Sequence, residues 1–523
     1  MLKRLGTFVL AAAVTVLSVA CTTTGQPESS PVGPATLTPA DIVEIQQLAV
    51  RYAYALDTGA MDGRMLAGLF APGGAVVDAA GARMEGEQLV SFGRGRSAVY
   101  PRRFIVNHVV HQADEEVTGS VYVVEVDLPA DGGIGGRVTS TGGKYQDVYE
   151  KTTDGWRFRS RQFVPSKAAI WPESRPRPVA TATAPDRPVA STSPRSPSRP
   201  AASPAASNRE VAPLSATDYL EIRQLVSRYG YALDSGAVDG SGSDYAALFT
   251  ADGEFHGPAA TPGGPLFDAV GREQLASLAA IPPGTVTRRG ANYVSHFLTN
   301  VLIEPSPEGA VGKVALLVLN FDPDGGSHSI TMGGHYEDVY ARTGDGWRFR
   351  SREFTRGWVE PGTASHWVPS LPPIAPSRVE TPFSAGSSLD AMDYLDISTL
   401  VSNYGYGLDT GADDGYMYAD LFTADAALFG RPRTRDERKA LANGEPHGPA
   451  YTRHFLTNIV IDPTADGARG KQYLAVIDIG EDGAPSSIFL GGRYEDTYVE
   501  TPDGWRFASR NLTRASAPPP DGP

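Results

Sequence analysis

A six-residue stretch that begins with tyrosine and ends with aspartate occurs three times in this chain of 523 residues. Tyr52–Asp57 reads YAYALD, Tyr229–Asp234 reads YGYALD and Tyr404–Asp409 reads YGYGLD. Each copy follows a helix-start signal at a fixed distance, and each is followed by a histidine in an apolar run and then by an Asp-Gly-Trp turn. Self-similarity at such a period means one folding unit of about 125 residues written three times. Function is therefore a question about one unit, and then about how the copies differ.

The start signals are Thr38-Pro39-Ala40-Asp41, Ser215 before Asp218, and Asp390 before Asp393. Each pairs an N-cap with an acid three residues on, the pattern of a reciprocally bonded helix N-terminus. Behind the second cap Ile222, Leu225, Val226, Tyr229 and Leu233 recur at helical spacing, which predicts a leading helix with its tyrosine on the buried face. A short second helix ends at Leu69-Phe70, Leu248-Phe249 and Leu421-Phe422, and GREQLASLA from Gly271 reads as a third. The rest of each unit reads as strands. YVSHFLTNVLI from Tyr293 and TRHFLTNIVI from Thr452 are β-branched and aromatic runs, and each unit ends in a hairpin signalled by Asp-Gly. Helices followed by sequential strands predict an α+β domain whose mainly antiparallel sheet carries the helices on one face.

The chain starts Met-Leu-Lys-Arg, runs apolar from about Leu5 to Ala20 and reaches Cys21, its only cysteine. That layout predicts a secretory signal ending at a lipoprotein processing site, although Ser18 stands where an aliphatic residue is usual and a plain signal peptide is the alternative. The expectation is a lipid-anchored protein of the cell envelope. With one cysteine there is no internal disulfide, so each unit rests on its packed core. Residues 22–37 read as a tether, 38–166 as domain one, 167–213 as a linker rich in Pro, Ala, Ser and Arg, and 214–356 as domain two. A second linker, 357–388, leads to domain three at 389–516 and a tail at 517–523. Net charge is −14, which argues against nucleic acid as a partner.

These motifs together resemble the SnoaL-like branch of the nuclear transport factor 2-like superfamily. The match rests on the helix with Tyr and a following Asp, the Leu-Phe second helix, the HFLTN strand, and the hairpin GGHYEDVYARTGDGWRF from Gly333 with its counterparts from Gly142 and Gly491. It covers all of each unit except the leader and linkers. The resemblance implies three cones, each a curved sheet wrapped around N-terminal helices, with a deep apolar pocket at one end. It leaves the activity open, because that fold serves dehydratases, isomerases, hydrolases, cyclases and plain binding domains.

In dehydratase-like members a helix Tyr, an Asp, a strand His, a second carboxylate and a late Arg surround the substrate. Carried over by position, the resemblance implies Tyr404, Asp409, His454, Asp478 and Arg510 in unit three. It implies Tyr229, Asp234, His296 and Arg352 in unit two, where Asn320 replaces the second carboxylate, and Tyr52, Asp57, His108, Asp127 and Arg161 in unit one. Tyr404 would donate to a substrate carbonyl, His454 would act as base or acid, Asp409 or Asp478 would orient it, and Arg510 would bind an anionic oxygen.

Strand alternation places Asn458 beside His454, so Asn458 and Asn300 are read as substrate contacts, and Gln112 is read as the unit-one substitute for that asparagine. The same counting sets Arg510 on the opposite face from Trp505 and Phe507. Asp78 has a bland reading as a turn residue. Every site residue also has a structural alternative: a core tyrosine, a helix-ending aspartate, a histidine bonded to backbone. The hairpin tyrosines, Tyr336 with Tyr340 and Tyr494 with Tyr498, and Trp156, Trp347 and Trp505 read as packing. One motif histidine per unit makes no zinc site, so neither metal nor cofactor is expected. Two readings follow: cofactor-free dehydration or isomerisation of a small apolar carbonyl compound, or a module that binds an apolar ligand or touches other domains or copies through its sheets without turnover.

Overall fold

The computed structural model describes residues 36–165, 211–356 and 389–514, apart from residue 79 and the stretches 95–100, 129–135, 139–142, 236–239, 259–266, 281–293, 322–327, 444–451 and 479–486. The leader and Cys21, most of the first linker, all of the second and the tail lie outside the described residues.

Each unit opens with a 20-residue helix: Pro39–Thr58, Ala216–Ser235 and Ala391–Thr410. The caps form as the sequence dictates. Thr38 Oγ1 accepts from the Asp41 amide at 3.2 Å while Asp41 Oδ2 accepts from the Thr38 amide at 3.0 Å, and the Ser215/Asp218 and Asp390/Asp393 pairs do the same. The capping acid has a second task. Its other oxygen accepts the indole N–H of the hairpin tryptophan, Asp41 from Trp156 at 2.9 Å, Asp218 from Trp347 at 3.0 Å and Asp393 from Trp505 at 3.0 Å. The last hairpin is thereby fastened to the first turn of the helix. Burial alone would raise the Asp41 carboxyl, but bonds from Lys151, Thr38 and Trp156 outweigh it and hold the group at about 2.

A six-strand path wraps each helix. In unit three it runs Arg431–Pro432, Phe422–Leu428, Gly504–Arg514, Ser487–Thr501, Gly467–Asp478 and Thr452–Thr464. All pairings are antiparallel except that of Phe422–Leu428 with Gly504–Arg514. Units one and two repeat it, and unit one adds the short strand Arg137–Val138. Inside each cone the leading tyrosine, Tyr52, Tyr229 or Tyr404, is 1% exposed, and burying a side chain of this size contributes on the order of 2 kcal/mol. Among the described residues no helix is long and apolar enough to cross a membrane.

The three cones touch one another through the terminal strands of their sheets, Pro101–Ala113, Val294–Ser306 and Thr452–Thr464. Each carries a bulge at Asn107, Asn300 or Asn458, whose φ values of 53°, 49° and 51° lie in the left-handed region that asparagine tolerates best among residues with a side chain. The bulge turns the amide toward the next unit. Asn107 donates to the His454 carbonyl at 2.9 Å and accepts from the Leu456 amide at 3.0 Å. Asn458 does the same to His296 and Leu298 at 3.0 Å each, and Asn300 to Arg103 and Ile105 at 2.7 and 2.9 Å. Unit one clasps unit three, three clasps two and two clasps one, so the chain closes a pseudo-threefold ring. Edge strands that would otherwise expose unpaired backbone are covered by this ring. Leading helices add Gln47 to Val301 and Ile303, and Gln224 to Ile459 and Ile461, all between 2.9 and 3.1 Å.

Two sequence expectations are corrected here. Asn458 and Asn300 are not substrate contacts, because both amide ends are committed to the neighbouring unit's backbone. Gln112 is not the unit-one counterpart of Asn458; that place belongs to Asn107, and Gln112 accepts from the Leu37 amide at 2.9 Å.

Candidate active site

In unit three the leading helix delivers Tyr404 and Asp409, and the terminal strand delivers His454. Asp409 grips that histidine twice: Oδ2 accepts its backbone N–H at 2.9 Å and Oδ1 meets its Nδ1 at 2.6 Å. A carboxylate accepts, so Nδ1 carries a proton, and in the neutral ring Nε2 keeps its lone pair. Asp409 has no exposed side-chain surface, and the His454 side chain keeps 18%. The remaining exposure opens onto a cavity of about 380 Å³ lined by His454, Tyr404, Tyr494, Asp478 and a largely apolar wall that includes Leu408, Leu441, Val476 and Leu512.

The strand register pairs Thr452 with Asp478 and His454 with Val476, which makes His454 and Asp478 diagonal neighbours on one face. Asp478 Oδ1 is buried without a hydrogen-bond partner. A bare carboxylate oxygen against apolar walls is costly unless a ligand satisfies it. Tyr404 Oη donates to Tyr494 Oη at 3.2 Å. Burial, then the neighbouring Tyr404, pushes Tyr494 well above the ordinary phenol range, so its hydroxyl stays protonated as a donor. The sequence reads Tyr494 as packing; its place in the cavity follows from a residue two positions from a buried Asp, a signal visible in GRYEDTY only with the register known. At the cavity mouth Phe489 is 64% exposed, and Phe429, 41% exposed, holds φ at 54°. A bulky residue in that backbone region is strained, and such strain gathers at ligand sites.

Arg510 does not face a substrate. It is fully buried, bonds Asp496 through Nε and Nη2 at 2.9 and 2.6 Å, and lies 3.9 Å from the centre of the Tyr404 ring and 4.3 Å from that of Tyr494. Arg161 with Asp147 and Arg352 with Asp338 repeat this ion pair. A bulge between Thr497 and Tyr498 shifts the strand phase and brings Arg510 onto the inner face with Trp505 and Phe507, which simple alternation misses. All three arginines belong to the scaffold.

Unit two keeps the dyad, with His296 Nδ1 2.5 Å from Asp234 Oδ1 and the His296 amide 2.9 Å from Oδ2. Its interior is fuller. Phe255 and Phe354 stand where unit three has Leu428 and Leu512, and their rings pack 6.5 and 5.3 Å from Tyr336. Asn320 takes the register position of Asp478.

Unit one lacks the dyad, and the structure moves His108 out of the site that the sequence assigns it. Counting back from Asn107, the histidine position is Arg103, whose Nη1 meets Asp57 at 2.6 Å and whose Nη2 meets Glu125 at 3.0 Å. The repeat aligns when Phe104-Ile-Val-Asn107 is set against Phe297-Leu-Thr-Asn300, a match obscured by the histidine one residue later. His108 instead sits where the three units meet, with Nε2 3.1 Å from Tyr149 Oη. Burial, then Arg161 and Arg223, holds it down at about 3, so it is neutral. Tyr52 packs against Tyr145 and Phe158, and Asp127 pairs in register with Pro101. Asp78 caps its own turn by accepting from the Ala80 and Ala82 amides at 2.9 Å.

The sites are shared between units. Tyr473 of unit three donates to Asp234 of unit two at 2.7 Å, and Tyr122 of unit one stands beside Asp409 of unit three, which with burial raises its phenol. In unit two the equivalent of these tyrosines is Ala315, opposite the unit whose histidine has become Arg103. Among the described residues no three His, Cys, Asp or Glu side chains gather as a metal-ligand set.

The family model for the SnoaL-like domain matches residues 38–162, 215–353 and 390–511. No curated protein matches the chain. Similar solved structures include an NTF2-like protein with a cystatin-like fold from Novosphingobium aromaticivorans, 26% identical over 28% of this chain and 85% of that one, with a TM-score of 0.22. A putative scytalone dehydratase from the same organism is 26% identical over 24% and 84%, with a TM-score of 0.21. A protein of unknown function from Mycobacterium tuberculosis is 25% identical over 24% and 76%, with a TM-score of 0.21.

Proposed function

Taking as premise that the chain belongs to the SnoaL-like family, in three tandem copies, we propose that its third unit is a cofactor-free acid/base catalyst acting on a small apolar carbonyl compound. One observation carries this reading: His454, held by Asp409 through Nδ1, opens onto an apolar cavity that also contains the unpartnered Asp478 Oδ1.

In the proposed step Nε2 removes a proton from the carbon next to the substrate carbonyl. The C–H electron pair moves into an enolate, whose oxygen takes a hydrogen bond from the Tyr494 phenol, itself polarised by the bond it accepts from Tyr404. In a dehydration the enolate then expels a β-hydroxyl, which leaves as water with the proton carried by His454; in an isomerisation that proton returns to another carbon. Asp478 Oδ1 accepts from a substrate hydroxyl and so fixes the register of the bound molecule. Unit one, with Arg103 locking Asp57, serves as a support for unit three. The leader and Cys21 add the proposal that the protein is lipid-anchored in the cell envelope.

The test is proton exchange. A panel of small cyclic β-hydroxy ketones in D₂O, followed by NMR, should show deuterium entering next to the carbonyl or water being lost with the wild-type chain and not with His454→Ala. The exposed Phe429 and Phe489 at the mouth favour a second reading, capture of an apolar ligand without turnover. That reading predicts ligand binding that His454→Ala leaves unchanged, with no exchange in either protein.

A further inference from the structure

Where the three leading helices and terminal strands meet, they enclose a second cavity, of about 190 Å³, lined by all three units. Equivalent positions supply one ring from the helices, Gln46, Arg223 and Ser398, and one from the strands, Val106, Thr299 and Thr457. The symmetry is broken in chemistry. Of these six only Arg223 is charged, and no Asp or Glu lines the cavity.

Arg223 gives one Nη1–H to Gln46 Oε1 and forms no ion pair among the described residues. Burial lowers it to about 10, which leaves it a cation at neutral pH. Thr299 and Thr457 are 7% and 6% exposed, and neither hydroxyl has a hydrogen-bond partner. Two of the three lining serines are committed, Ser398 Oγ to the Tyr394 carbonyl at 2.7 Å and Ser402 Oγ to that of Ser398 at 2.9 Å. A half-buried cation without a counter-ion beside two orphan hydroxyls is a costly arrangement that an anion would relieve.

We propose that this axial cavity binds a short-chain monocarboxylate, its head on the Arg223 guanidinium and the Thr299 and Thr457 hydroxyls, its tail against Val106 and Leu298. One guanidinium answers one negative charge, and the aliphatic wall favours a carbon chain over an inorganic oxyanion. Bonds of this charge-assisted kind are about twice as strong as neutral ones. The site is distinct from the His454 cavity and does not depend on catalysis there.

The test is calorimetric titration of the full chain with butyrate, with neutral butyramide and with inorganic phosphate at constant ionic strength. Butyrate should bind saturably, one per chain, and butyramide should not. Arg223→Gln should weaken butyrate by about tenfold or more, and the Thr299→Val/Thr457→Val double variant should also weaken it. The double variant removes no charge, so it decides the matter if Arg223→Gln fails to fold. Equal butyrate affinity in wild type and variants, absence of saturable binding, or phosphate binding more tightly than butyrate would each overturn the proposal.

Discussion

The Tyr473 hydroxyl donates to Asp234 Oδ2 at 2.7 Å across the boundary between the third and second units. The carboxylate that orients His296 is thus held by another repeat, and a separated unit two would lose that support. Tyr473→Phe removes one part-buried hydrogen bond to a carboxylate, which should cost about 1.5–3 kcal/mol in denaturant unfolding. An unchanged midpoint would show that the contact does not matter.

The asparagine clasps make a second prediction. Each joins two backbone groups of the neighbouring unit, so Asn458→Ala should strand the Leu298 amide and the His296 carbonyl. Two unsatisfied backbone groups and an alanine forced to positive φ should destabilise the ring by roughly 2–5 kcal/mol. Proteolysis within the terminal strands should accelerate, because an opened ring exposes these edges. Asn458→Gly, which relieves φ but not the lost bonds, should recover only part of the loss.

These clasps also show what is and is not legible in the sequence. Caps, leading helices, hairpins and the α+β order are readable because each is written locally, in Thr38 with Asp41 or in Asp503-Gly504. The dyad is readable in units two and three because an Asp that ends a helix and a His in a strand recur together. Arg510 and Asn458 mislead for one reason: each lies at or beyond a bulge, where the inside–outside alternation changes phase. His108 misleads because a chance histidine sits beside Asn107 and draws the eye away from Arg103. Tyr122, Tyr473 and Arg223 carry no signal at all, since each acts on a different unit from its own.

Arg510 supplies a third prediction. As scaffold, it neutralises Asp496 in a dry interior, and removing one partner of such a pair leaves a buried charge. Arg510→Met should cost about 3–5 kcal/mol of stability. A variant that kept its melting temperature and lost only ligand affinity would return Arg510 to the site.

Glu221 gives the pH dependence. Burial, with Asp218 nearby and only partly offset by Arg342 at 3.8 Å, raises its carboxyl from 4.5 to about 7, and Oε2 has no hydrogen-bond partner. A raised folded-state value means the folded chain holds the proton longer than the unfolded one. This contribution is fully present below pH 4.5 and is lost as pH rises through about 7. Glu221→Gln should therefore melt higher than wild type at pH 8 by a margin that shrinks steadily as pH is lowered toward 4.5. A pH-independent difference would contradict the burial argument.

The proposed chemistry rests on an unprotonated imidazole nitrogen, that of His454, opening onto the unit-three cavity as a base. The most direct measurement uses 5-nitrobenzisoxazole, a flat apolar probe whose ring opens when a base removes one carbon-bound proton, with no other group required. The wild-type chain should open it faster than solvent, His454→Ala should lose that excess by about 10²-fold or more while remaining folded, and His296→Ala should retain it. Probe turnover that survives in His454→Ala, or that disappears equally in His296→Ala, would contradict the account.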